Sequence, residues 1–267
     1  MKGPFPIFCR GHSGSRVLCE ALRQNGLWMG LCHATTLDSI GFAQRLPEVR
    51  ELIEAGFGYR QASRDEQQSL QQKLRALVDA SRRSCPDPED RPAYGWKRPI
   101  TTFTIDIFFD AFPDGKVVHL LRDGRDCMLS RLDARMAALH DPLNRRVVFG
   151  RSGVTDYKGA ALTPETIERF RNEIEMLHWV TVVSFALRGR GRPDRYLEVR
   201  YEDLCRHPVQ TLGQVFEFLG VPYRTSARDW IAANASTEGI GKWRGREGEL
   251  ADAIKLGEPL LRELGYW

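Results

Sequence analysis

Short runs of β-branched and aromatic residues recur between turn signals at four places along the chain. Phe5 to Arg10, Tyr94 to Lys97, Lys116 to Leu121 and Arg195 to Tyr201 each read as a strand. Helical periodicity follows. Ser15 to Gln24 puts Val17, Leu18, Ala21 and Leu22 on one face, and Asp123 to Leu139 repeats the pattern with Cys127, Leu129, Leu132 and Met136. Thr163-Pro164-Glu165 supplies an N-cap, a proline at the first helical position and an acid in the first turn, and it opens a helix running to about Arg188. Pro208 to Leu219 carries Leu212, Val215, Phe216 and Leu219 at helical spacing and stops at Gly220, the residue type expected just past a helix end. Strand followed by helix, repeated, predicts an α/β fold with a parallel sheet covered on both faces.

Two stretches stand outside that alternation. Residues 45–93 hold a polar helical segment, Arg64 to Arg83, and then the Pro- and Asp-rich Cys85 to Pro92, so they read as an insertion ending in a loop. Residues 140–163, with Asp141-Pro142, Arg145, Arg146, Gly150, Arg151, Gly153, Lys158 and Gly159, read as a loop, and long loops in compact domains are often lids or binding segments. No repeat or linker divides the 267 residues, so a single domain over 1–267 is expected, with 45–93 and 140–163 as its insertions.

Composition narrows the function. A hydrophobic share of 42% and a charged share of 28% describe a globular chain rather than a disordered or fibrous one. The 39 basic residues exceed the 35 acidic ones by four, without the massed basic run of a nucleic-acid binder, so a small anionic ligand fits better. Cys9, Cys19, Cys32, Cys85, Cys127 and Cys205 form no CxxC pair and lie at no zinc spacing to histidine, which predicts reduced, mostly buried thiols and neither a disulfide framework nor a zinc site. The apolar stretch Met176 to Leu187 is interrupted by His178, Thr181 and Ser184 and falls short of the roughly 20 residues of a membrane span. The first residues hold Pro4 and Pro6 and no long apolar run, so a cytoplasmic protein without a secretory signal is expected.

Three elements carry candidate chemistry. The first strand runs into Arg10-Gly11-His12-Ser13-Gly14-Ser15-Arg16 and then a helix, where glycines let the backbone approach, N–H groups point inward and the helix start adds partial positive charge. A phosphate-like group suits that cradle. The nucleotide-triphosphatase form GxxxxGK[ST] is absent, since Arg16 and Val17 stand where its lysine and hydroxyl would be. In the second element Arg122 ends a strand, and Ser130 lies two helical turns further on, so both can converge on one phosphate. The third is Gly239-Ile240-Gly241-Lys242-Trp243-Arg244-Gly245, a flexible loop with an aromatic between two cations, suited to covering an anionic nucleotide. Each of the three, taken alone, is also explained by an ordinary turn.

Together and in this order the elements resemble the sulfotransferases that use adenosine 3'-phosphate 5'-phosphosulfate (PAPS). The likeness runs from residue 5 to about residue 245 and includes Arg200-Tyr201-Glu202-Asp203-Leu204, Pro208 and Phe218-Leu219-Gly220-Val221-Pro222. It implies a single-domain, P-loop-like, three-layer fold, with residues 10–16 on the 5'-phosphosulfate, Arg122 and Ser130 on the 3'-phosphate, and Gly241, Lys242, Trp243 and Arg244 over the nucleotide. Many members carry a lysine or arginine before the Ser-Gly pair of the first loop, where this chain has His12. The cation on the leaving phosphate is then to be sought among Arg10, Arg16 and Lys97, with His12 itself a catalytic candidate.

Sulfuryl transfer, by analogy with phosphoryl transfer, passes through a loose in-line transition state, so it needs cations and N–H groups on the bridging oxygen and a base for the acceptor proton. No metal is called for. The resemblance places an acidic base after the first helix, within Gly30 to Ser39, which points to Asp38 with His33 as the alternative. The acceptor implied is a hydroxyl or amine of a small molecule, glycan or lipid, with the insertions 45–93 and 140–163 expected on the acceptor side. A small-molecule kinase and a non-catalytic module binding nucleotides or sulfated glycans are the competing readings; the first would show a loop lysine followed by Ser or Thr, and the second would need neither a base nor Lys97.

Overall fold

The computed structural model describes residues 1–129 and 136–267. The chain forms two compact units, one made of residues 1–121 and 185–237, the other of residues 122–184 and 238–267.

The first unit is built on the expected parallel sheet. Its strands are β1 (Lys2–Cys9), β2 (Ala93–Lys97), β3 (Val117–Leu121) and β6 (Tyr196–Arg200), in the order β2-β1-β3-β6. Each lies within a few residues of its expected position. Strand β1 starts earlier than the sequence indicates, because a register shift between Lys2 and Phe5 accommodates the proline-rich start beside β2. Alternation along β1 divides the core. Phe5, Ile7 and Cys9 face a cluster made with Leu18 and Leu22 of α1 (Ser15–Gln24), Leu212, Val215 and Phe216 of α11 (Pro208–Leu219), and Ile231 of α12 (Thr225–Asn234). Phe8 faces the other way, edge-on to Trp96 and Phe108, while Phe42 stacks on Trp96 at 5.2 Å. The three-layer α/β fold is therefore the one expected.

Residues 45–93 are packed elements of this unit. Helix α3 (Leu46–Gly56) brings Gly56 so close to the Phe103 carbonyl that a Cβ would stand 1.9 Å from it. Helix α4 spans Arg64–Arg83 as read, opened by a Ser63/Glu66 capping box, and buries Leu74 and Val78.

β1 lies between β2 and β3, with Cys9 beside Leu120, and the chain leaves it toward β2 before returning to β3. Loop 10–16 thus follows the strand at which the direction of winding reverses, the place where open α/β sheets take ligands.

His119 of β3 is fully buried, with Nδ1 2.6 Å from the Tyr196 hydroxyl, and burial drives its pKa down to about 4. An unfolded histidine titrates near 6.5, so the unfolded chain binds the extra proton between those values. This contribution to stability is complete above about pH 6.5 and is lost as pH falls toward 4. Urea unfolding is expected to show about 2 kcal/mol less stability from this residue at pH 5 than at pH 7.5, a difference that His119→Gln removes. Equal pH slopes in the two proteins would contradict the assignment.

The second unit is mainly helical. It holds α6 (Gly124–Met128), α7 (Pro142–Phe149), the hairpin β4 (Asp156–Tyr157) and β5 (Ala160–Ala161), α8 (Pro164–Arg169), α9 (Arg171–Ala186) as far as Ser184, and α13 (Ala251–Glu263). Three expectations change here. The helix read over Asp123 to Leu139 begins as α6, which ends at Met128 with a turn at Leu129; residues 130–135, with Leu132, lie outside the described residues, and residues 136–140 are helical and then 3-10. The helix read from Thr163 to Arg188 bends at Phe170, whose ψ of 21° departs from helix while its ring packs beside Ile167 and Ile174. The loop read over 140–163 contains α7, capped by Asp141 onto the Asn144 N–H, begun by Pro142 and ended by Gly150 at φ 72°. No helix among the described residues is long and apolar enough to cross a membrane.

Candidate active site

Loop 10–16 in the first unit is shaped by two left-handed residues, His12 at φ 68° and Gly14 at φ 86°. Gly14 is the N-cap of α1 and brings no side-chain acceptor, and the first turn holds no acid, so nothing in the cap competes with an incoming anion for the helix start. The Tyr201 ring, on the first residue of α10 (Tyr201–Arg206), lies so close to Gly14 that a Cβ there would stand 2.3 Å from it. Glycine is thus required twice over, by conformation and by contact. Arg10 is buried, with Nη1 donating to the Gly11 carbonyl at 2.8 Å, while His12 and Arg16 are exposed. Arg16 Nη1 reaches the Thr35 carbonyl at 3.3 Å, linking α1 to the segment that carries the candidate bases.

That segment separates Asp38 from His33. The Asp38 carboxylate accepts from Lys97 Nζ at 2.6 Å, and the same ammonium donates to the Thr36 carbonyl at 2.5 Å. An ammonium has three protons, so one remains for a ligand. Lys97 ends β2, is only 3% exposed, and lies near enough to the Cys9 thiol under loop 10–16 to oppose the rise that burial imposes on it. His33 is exposed, and its Nδ1 sits 3.4 Å from the backbone N–H groups of Thr35 and Thr36 and 3.1 Å from the Thr35 hydroxyl, so the ring closes its own turn. The N-cap of α2 (Ile40–Gln44) is Ser39, which leaves the Asp38 carboxylate to Lys97 rather than to helix capping.

Ser39 was not among the residues the sequence singled out. It is fully buried; its Oγ donates to the Met29 carbonyl at 3.0 Å and accepts from the Lys97 N–H at 3.3 Å, while its own N–H donates to the Lys97 carbonyl at 2.8 Å. Ser39 thereby fixes the spacing of the Asp38–Lys97 pair. Ser39→Ala removes both side-chain bonds, the one to the Met29 carbonyl and the one from the Lys97 N–H, and is expected to cost about 1–3 kcal/mol in urea unfolding. Unchanged stability would mean that these contacts hold nothing.

In the second unit, Arg122 and residues 239–243 form one constellation. Arg122 Nη2 donates to the Gly239 carbonyl, and the Arg122 carbonyl accepts from Trp179 Nε1 at 3.0 Å. The Trp179 ring lies under Gly124, where a Cβ would stand 2.6 Å from it. Asp123 caps α6 through the Arg125 N–H and grips the Arg125 guanidinium, which in turn lies 3.7 Å from the centre of the Trp243 ring. Asp126 accepts from the Gly241 N–H at 2.8 Å, and burial raises its carboxyl pKa despite that bond. The third loop, read as flexible, is therefore fastened at Gly239, Gly241 and Trp243, whereas Lys242 and Arg244 are exposed. Asp126 and Arg125 are further residues that the sequence reading did not single out, although the repeated Arg-Asp of residues 122–126 contained them. Ser130 lies outside the described residues.

A family model described as "Sulfotransferase family" matches residues 8–225. The chain is 26% identical over 174 residues to carbohydrate sulfotransferase 3 of Homo sapiens, a stretch covering 57% of this chain and 34% of that protein. Protein-tyrosine sulfotransferase of Drosophila melanogaster is 22% identical over 200 residues, 67% of this chain and 35% of that one. These matches span about a third of the relatives' own length. Among solved structures, the sulfotransferase domain from the curacin biosynthetic pathway aligns over 100% of this chain and 99% of its own, with a TM-score of 0.55 at 16% identity. The sulfotransferase domain from the Synechococcus PCC 7002 olefin synthase aligns over 97% and 96%, with a TM-score of 0.53 at 20% identity. At such identities the structural likeness carries the fold alone.

Proposed function

Because the chain belongs to the sulfotransferase family, we propose that it moves a sulfuryl group from PAPS to a hydroxyl or amine of an acceptor such as a glycan, a lipid or a small molecule. The observation that carries this reading is the Asp38–Lys97 pair, drawn together from distant parts of the chain and set beside loop 10–16. A module that only bound nucleotides would need the cradle and not a buried ammonium joined to a half-buried carboxylate.

In this scheme the first-turn N–H groups of α1 and the cations Arg10 and Lys97 face the phosphate that leaves, and the remaining Lys97 proton goes to the oxygen on which charge grows. Asp38 takes the acceptor proton as the new S–O bond forms. His12 lacks the permanent charge of a lysine or arginine, so Lys97 carries the larger share of stabilisation. Arg122 holds the 3'-phosphate, and Trp243, pressed on Arg125, offers a face to the adenine. In this proposal the 45–93 and 140–163 segments are the ones that take part in acceptor recognition. The relatives' names, carbohydrate and protein-tyrosine sulfotransferases, support glycans and tyrosine hydroxyls as the first acceptors to try.

The test is transfer of labelled sulfate from PAPS to a panel of glycans, tyrosine peptides, lipids and phenols, run beside Lys97→Met. Acceptor-dependent labelling that Lys97→Met lowers by about a hundredfold or more is expected. Labelling that is equal in the two proteins would remove Lys97 from the chemistry.

A further inference from the structure

Lys97 and Arg98 are neighbours in the chain with opposite surroundings. Strand β2 ends at Lys97, and Arg98 continues extended, at φ −156° and ψ 105°, so the alternation of the strand carries one residue further. Lys97 turns to Asp38 on one face. Arg98 stands on the other, with Trp96, whose ring stacks on Phe42 of α2 and whose Nε1 donates to the Thr101 hydroxyl at 3.0 Å. The backbone here is firmly held. The Arg98 carbonyl accepts from the Thr101 N–H at 2.9 Å and from its hydroxyl at 2.7 Å, and the 99–104 turn packs on the end of α3, where Phe57 stacks on Phe103 at 5.1 Å.

The Arg98 side chain has no such bonds. It is half-buried and its Nε is enclosed, yet among the described residues its guanidinium makes no hydrogen bond and no ion pair. Arg16 and Lys97 nearby differ, since each donates to the 30–39 segment. An enclosed N–H on a permanently charged group is costly to leave unbonded. An apolar side chain would fill the same place without that cost.

We infer that Arg98 selects the acceptor, its guanidinium taking a carboxylate that the acceptor carries close to the hydroxyl or amine it presents to Asp38. This rests on the reading of Asp38 and Lys97 as the reacting centre. A guanidinium binds both oxygens of a carboxylate through a planar fork, in which Nε–H is one of the two donors, so the unbonded Nε is half of a ready-made carboxylate site. Its place agrees with that role. Arg98 directly follows Lys97 at the strand ends where open α/β sheets take ligands, and it lies on the side of α2 and α3. A neutral acceptor leaves the guanidinium unbonded, so the cost of burying it falls on the wrong substrate.

The probes are three matched pairs: glucuronic acid with glucose, galacturonic acid with galactose, and para-hydroxyphenylacetate with its amide. Each is titrated onto the full chain in the presence of adenosine 3',5'-bisphosphate and followed by ligand-observed NMR. In at least one pair the acid is expected to bind about tenfold or more tightly than its neutral partner, and Arg98→Met is expected to remove the difference. The pair that shows it tells a sugar carboxylate from an aryl one. Arg98→Met is also expected to unfold at no lower a urea concentration than the unsubstituted protein, because no bonded partner is lost. A fall in that midpoint would give Arg98 a structural role and overturn the proposal. Acids that bind no better than their neutral partners would overturn it too, as would a preference that survives in Arg98→Met. An Arg98-dependent preference in a protein that moves no sulfate from PAPS would uphold the carboxylate site and remove the reading of Asp38 and Lys97 on which its use in sulfuryl transfer rests.

Discussion

Asp38→Asn is expected to lower sulfuryl transfer by about a hundredfold or more while leaving donor affinity nearly unchanged. The substitution keeps the size of the side chain and its bond to Lys97, but an amide cannot take the acceptor proton, and a well-placed general base contributes roughly 10²–10⁴ in rate. The Asp38 carboxylate sits on Lys97 at 2.6 Å and caps no helix, whereas His33 Nδ1 is engaged by its own turn. His33→Gln is the matched control. If it abolished transfer and Asp38→Asn did not, the base would be His33; if both retained full activity, neither would be.

Arg122→Ala is expected to weaken binding of adenosine 3',5'-bisphosphate by roughly 30-fold or more, the equivalent of removing a charged contact of about 2 kcal/mol or above. Arg122 is 6% exposed and is aimed by its bond to the Gly239 carbonyl, so its guanidinium is already ordered before a ligand arrives. Pre-ordering lowers the conformational cost of binding. The loss should be confined to ligands that carry a 3'-phosphate. An equal loss for adenosine 5'-monophosphate would show that the substitution had disturbed the fold around Trp179 and Gly124 instead, since the Arg122 carbonyl accepts from Trp179 Nε1.

The sheet was legible because β1, β2, β3 and β6 each concentrate β-branched or aromatic residues between turn signals, and the helices α1, α4 and α11 because their apolar spacing and caps coincide. Helix α7 was hidden although Asp141, Pro142 and Gly150 bracket it, since Asn144, Arg145 and Arg146 interrupt the apolar face formed by Leu143, Val147 and Val148. The bend at Phe170 was hidden for the opposite reason, because no proline or glycine marks it. In the site, loop 10–16 was readable from local chemistry alone. The Asp38–Lys97 pair was not readable as a pair, because it joins residues 59 positions apart that meet only where the 30–39 segment runs along the end of β2. Ser39 and Asp126 were missed for the same reason: their work is done through backbone groups of distant residues, Met29 and Lys97 in one case and Gly241 in the other.

The claim at the centre of this account is that Arg122 takes the 3'-phosphate of the donor. Calorimetric titration with adenosine 3',5'-bisphosphate and with adenosine 5'-monophosphate tests it most directly, because the two ligands differ only in the 3'-phosphate. The bisphosphate is predicted to bind at least about 30-fold more tightly. Equal affinity for the two ligands would contradict the account.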